Sequence, residues 1–153
     1  MSKQPFVVLG RYRPPKFRAS IIGEYLIEFT SKLGLTPLHD PEHGPQTTSI
    51  WCNEAVHAEV RRFAQHSQGS SWHQDGDLKD GSVMDHAAVL WAAVTPTEFR
   101  LDNTVYRPEP FEIVIARNLG CFHRSPPDCP HKPTRRWFFR QRVKVCPNVM
   151  MLL

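Results

Sequence analysis

The 153-residue chain lacks any apolar run long enough to cross a membrane, and the apolar stretch near its N-terminus is too short for a secretory signal. These absences predict a cytoplasmic protein with no membrane partner. Its four cysteines, Cys52, Cys121, Cys129 and Cys146, are too sparse for a disulfide scaffold in a chain of this length, so reduced thiols are expected. No internal repeat and no long linker interrupts the chain, which predicts a single domain over residues 1–153. Metal-binding Cys-x-x-Cys knuckles are missing too, as is the His-x-His pair with a later Glu that a cupin would need.

What is present begins with charge. Nineteen basic residues against fifteen acidic give a formal charge of +4 and a pI near 9.0, which favours anionic partners such as nucleic acid or small carboxylates and phosphates. Five of the basic residues, Arg135, Arg136, Arg140, Arg142 and Lys144, lie close together near the end. Fourteen prolines and eight glycines are scattered as punctuation, which suits many short strands joined by turns.

One helix is predicted over residues 16–34, where Phe17, Ile21, Ile22, Tyr25, Leu26, Phe29 and Leu33 form one apolar stripe, with Gly34 at the end. Residues 35–49 read as a long loop and 53–59 as a short helix. Strands follow at 60–67, 87–94, 97–101, 104–107, 111–116 and 121–124, with Asp102-Asn103 suited to a two-residue hairpin turn. Residues 135–145 alternate cleanly. Arg135, Trp137, Phe139, Gln141, Val143 and Val145 form an apolar row expected to face a barrel interior. Arg136, Phe138, Arg140, Arg142 and Lys144 form the other row, read first as a solvated edge strand and second as a track for a phosphate backbone. The fold class expected is mainly β, a sandwich or barrel supported by an N-terminal α-helix.

The chemistry concentrates in Trp72-His73-Gln74-Asp75-Gly76 and in Gly120-Cys121-Phe122-His123-Arg124-Ser125. A His-x-Asp pair puts an imidazole and a carboxylate on one side of an extended segment. A second imidazole at His123, brought back by intervening strands, would complete a facial set of two histidines and one carboxylate. Such a set leaves coordination positions open and suits non-haem Fe(II).

The ordered series of helix, strand, His73-x-Asp75, further strands, His123 and then arginine on the last strand resembles the Fe(II)/2-oxoglutarate-dependent dioxygenase superfamily. It is most similar to the smaller phytanoyl-hydroxylase-like members. The resemblance spans roughly residues 60–145 and implies a double-stranded β-helix, or jelly roll, with its core over residues 60–146 and helical support over 16–34. It implies that His73, Asp75 and His123 bind Fe(II), that 2-oxoglutarate is the cosubstrate, and that a following arginine anchors its distal carboxylate. Arg135, on the apolar row, is the first choice for that anchor and Arg136 the alternative. Arg124 alternates away from the metal. Trp72 would line the site or pack in the core, and Gln65 and Ser67 would touch substrate. Where the family carries a glycine-rich turn with Asp before the distal strand, this chain has Arg107-Pro108-Glu109-Pro110.

Two rival readings stand beside this one. Cys121, His123, Cys129 and His131 offer four donors to a structural zinc, although their spacing departs from common zinc motifs. A non-catalytic jelly-roll module could instead use its basic face for nucleic acid or an assembly partner. His86 reads as a loop or core histidine, and His39, His43, His57 and His66 as surface residues.

Overall fold

Alternating apolar residues build two antiparallel sheets, and the chain is mainly β. The computed structural model describes residues 6–16, 18–36, 38–40, 44–46, 49–52, 72–74, 85–93, 96–124 and 137–153. The larger sheet has five strands. Its spatial order is β1 (Phe6–Arg11), β8 (Glu112–Arg117), β5 (Ala87–Ala92), β10 (Trp137–Val143) and β4 (Ser49–Cys52), every neighbouring pair antiparallel. The smaller sheet runs β7 (Thr104–Tyr106), β6 (Glu98–Leu101), β9 (Phe122–Arg124), and residues 72–74 add to its far edge through one bridge.

Helix α1 (Ala19–Lys32) covers one face of the larger sheet. Ile22 and Leu26, one turn apart, are 1% and 0% exposed and join Val89, Trp91, Ile115, Phe139 and Val143 in a single cluster. Each such aliphatic side chain contributes roughly 1.5–3 kcal/mol by leaving water. The helix stops where expected: Gly34 takes a φ of +70°, which glycine adopts without steric cost, and Asn148 donates its Nδ2 to the Gly34 carbonyl at 3.0 Å. Asn148 belongs to α2 (Pro147–Leu152), whose Val149 is fully buried in the same cluster.

The opposite face of the larger sheet meets the smaller one. Phe6, Val114 and Ala116 pack there with Phe99 and Cys121, and Phe6 stacks on Phe99 with ring centroids 5.3 Å apart. Asp102 and Asn103 join β6 to β7 as a two-residue turn, Asp102 holding a φ of 53° that its short polar side chain tolerates.

Several elements differ from expectation. β1, upstream of the helix, was not foreseen, and it extends the larger sheet. The stretch expected as a loop contains β2 (Leu38–Asp40) paired antiparallel with β3 (Gly44–Gln46), then the start of β4. β10 is not an edge strand, because β5 and β4 flank it on both sides. Its faces are also reversed: Phe139 and Val143 pack under α1, while Arg140 and Arg142 register with Leu90 and Ala88, in rows that continue through Val114 and Ala116 toward the smaller sheet. The expected helix at 53–59 and strand at 60–67 lie outside the described residues. No helix among the described residues is long and apolar enough to cross a membrane.

Candidate metal centre

The site forms where residues 72–74 pair with β9. His73 N donates to His123 O at 3.1 Å and His123 N donates to His73 O at 3.0 Å, so the two residues exchange both backbone bonds and stand directly opposite. Directly opposed residues of an antiparallel pair point their side chains to the same face. The two imidazoles accordingly meet, with ring centroids 4.4 Å apart and planes inclined at 63°. Residues fifty positions apart in the chain thus bring two imidazole rings into contact.

That separation can be tested against coordination geometry. With metal–nitrogen bonds of about 2.1 Å and each ring centroid about 1.1 Å farther out, two imidazoles at right angles on one ion would have centroids about 4.5 Å apart. The observed 4.4 Å fits two adjacent positions on a single metal. His73 is exposed and His123 half-buried, so the pair sits at an accessible margin of the sheet.

Its flank is apolar. Phe99 lies opposite His123 across β6 and is 1% exposed, and Cys121, two residues before His123, is 4% exposed. Burial pushes the Cys121 thiol up to about 11, and its Sγ points to the Arg117 carbonyl at 3.8 Å. The thiol is thus buried and keeps its proton in this environment. Gln74 reaches the turn between β8 and β9, donating Nε2 to the Asn118 carbonyl at 2.9 Å. His86, 1% exposed at the start of β5, is a core histidine as expected.

Alternation sends the neighbours of both histidines to the other face. There Arg124 donates through Nε and Nη2 to Glu98 Oε2, both at 3.1 Å, and Arg107 donates to Oε1 at 3.2 Å. Arg124 therefore points away from the histidines, as the sequence implied. Trp72 neither lines the pair nor enters the core; it lies half-buried under the guanidiniums of Arg124 and Arg100, at 4.2 and 5.1 Å from its centroid. Sequence reasoning missed Glu98 altogether. The Glu-Phe-Arg-Leu alternation of β6 marks it as outward-facing, and only the two arginines that fold over it explain why it is 2% exposed.

The remaining expected site residues, Asp75, Arg135, Arg136, Gln65, Ser67, Cys129 and His131, lie outside the described residues. Among the described residues no group of three His, Cys, Asp or Glu side chains is close enough to hold a metal ion. The premise that favoured Arg135 is nevertheless corrected: the apolar row of β10 faces the helix, and its even-numbered row faces the smaller sheet. Leu90, Ala92, Thr97, Phe99, Pro108, Glu112 and Val114 help line a small, partly open pocket. It lies level with the beginning of β10, where Phe138 pairs with Ala92. No protein-family model matches the chain, and no curated protein matches it either.

Proposed function

We propose that the chain is an Fe(II)- and 2-oxoglutarate-dependent oxygenase, most simply a hydroxylase, built on a double-stranded β-helix. The observation that carries this reading is the His73–His123 pair, whose ring separation of 4.4 Å suits two adjacent ligands of one ion. Strand order supports the fold. Taken in chain order among the described residues, β4, residues 72–74, β5, β6, β7, β8, β9 and β10 make eight segments, and the larger sheet holds the first, eighth, third and sixth side by side. The smaller holds the second, seventh, fourth and fifth. That interleaving is what a jelly roll would give, and it supports the proposed fold.

In this reading the two imidazoles and the Asp75 carboxylate would hold the metal. Fe(II) with 2-oxoglutarate supplies, when bound, the activation of O2, the oxidation of the cosubstrate to succinate and CO2, and the transfer of one oxygen atom to substrate. Phe99 and Cys121 keep the inner side of the pair dry, and the exposed side at His73 leaves a way in for substrate. The distal carboxylate of the cosubstrate needs a planar, bidentate cation, which an arginine would provide. Arg135 is the first choice for that cation and Arg136 the alternative, and both lie outside the described residues.

The test is Fe(II)-dependent conversion of 2-oxoglutarate to succinate. Turnover by the wild-type chain, lost in His73→Ala and Asp75→Ala variants with unchanged circular dichroism, is the expected result. Wild-type rates in His73→Ala, or no succinate from folded, iron-supplied protein, would sink the proposal.

A further inference from the structure

The outer face of the smaller sheet carries guanidinium groups interleaved with aromatic rings, and the metal centre uses none of them. Arg100 lies between Trp72 and Phe122, its Cζ 5.1 and 5.2 Å from the two ring centroids. Arg124 covers Trp72 at 4.2 Å from the other side of the run, and Arg107 stands beside it through their shared partner Glu98. Glu98 is 2% exposed, so its charge is spent within the cluster, whereas the Arg107 side chain is 69% exposed. Arg100 makes no ion pair among the described residues, which leaves a fork of donors without a carboxylate. Phe122 keeps 41% of its surface exposed although it is a large apolar residue on a packed sheet.

Three properties select the occupant. Three arginines against one buried carboxylate give the patch positive charge, in a chain that is itself +4. An anionic ligand is therefore favoured. Exposed aromatic surface between the cations adds a requirement that an acidic peptide does not meet, because flat π-faces stack on bases. A sheet face is also too broad for a duplex groove, while an open strand can lie along it. From residues 72–74 to β7 the face spans three strand spacings, about 14 Å, which accommodates a few nucleotides. We infer that this face binds single-stranded nucleic acid, with Arg100 and Arg107 meeting phosphates and the Phe122 ring stacking on a base. Of the basic row the sequence offered for this role, Arg136, Arg140, Arg142 and Lys144, the two in β10, Arg140 and Arg142, lie on the row facing the smaller sheet, whereas the arginines named here lie on the outer face of that sheet. Because His73 and His123 point to the opposite face, this binding surface stands independently of the metal centre.

The experiment is fluorescence anisotropy of a labelled oligothymidylate of about twelve nucleotides titrated with the full chain across a salt series. Two phosphate contacts on a single strand predict a log–log salt slope of about −1.4, and Arg100→Ala should reduce its size by about 0.7. Arg18→Ala, which removes the same charge from an exposed position before α1, should leave the slope nearly unchanged. Phe122→Ala and Phe122→Leu should each weaken binding at least about fivefold, since both remove the stacking ring. Phe122→Leu keeps apolar bulk, so a loss there reports the ring rather than the fold. The inference is overturned by no saturable binding, by equal effects of Arg100→Ala and Arg18→Ala, or by full affinity in Phe122→Leu. Displacement of the oligonucleotide by polyglutamate at equal charge concentration would likewise overturn it, in favour of an acidic protein partner.

Discussion

Replacing Glu98 with glutamine removes one charge from the point where three strands of the smaller sheet are tied together. The carboxylate is 2% exposed and accepts three hydrogen bonds, two from Arg124 and one from Arg107. Arg107 is 69% exposed and can turn to water, so the cost falls on Arg124, whose side chain is 22% exposed. Removing one partner of a buried ion pair costs about 3–5 kcal/mol, and partial access to water with a retained amide acceptor puts this case near the low end, about 3 kcal/mol. For a chain of this size each kcal/mol lowers Tm by about 2–4 °C, so Glu98→Gln should melt about 6–12 °C lower. Differential scanning calorimetry reads the shift directly, and molar salt should change it little because the pair is shielded from solvent ions. A Tm within about 2 °C of wild type would refute the reasoning. Since β9 carries both Arg124 and His123, the same variant should also loosen the histidine pair.

Three further outcomes follow from the geometry. Cys121 titrates at about 11 when folded against an ordinary 9.0, so the folded state keeps a proton that the unfolded chain releases. Its contribution is full below about pH 9 and is lost as pH rises to about 11, amounting to about 2–3 kcal/mol; urea melts should show that decline, and Cys121→Ala should flatten it. Gly34→Ala places a Cβ 2.5 Å from Asn148 Nδ2 at a φ of +70°, and denaturant titration should register a loss of about 2–3 kcal/mol from strain and the displaced hydrogen bond. Leu26→Ala, at a position with 0% exposure, should cost about 2–5 kcal/mol in the same assay.

Local pattern carried a good part of the fold. The apolar stripe through Ile22, Leu26 and Phe29 marked the helix, Gly34 its end, the run from Ala87 a buried strand, and Asp102-Asn103 a hairpin. The spacing of His73 and His123 marked two donors, and the structure brings these together. What failed was whatever depended on a distant partner. Three-residue strands such as β2 and β3 exist because they pair with each other, and the Gly44-Pro45 of β3 reads as loop. β10 shows the limit most clearly: alternation separates its two rows but does not say which layer covers each. With a helix on one side and a second sheet on the other, the apolar row went to the helix. Trp72 was read as lining the site or packing in the core, yet its ring is held by Arg100 and Arg124, which come from strands later in the chain.

The central claim is that His73 and His123 share one iron. The measurement that tests it most directly is anaerobic visible absorption of the metal-free protein on adding Fe(II) and then 2-oxoglutarate. The account predicts a weak charge-transfer band that needs both additions and is absent from His123→Ala. A folded, iron-exposed sample that gives no band, or a His123→Ala variant that keeps it, would contradict the account.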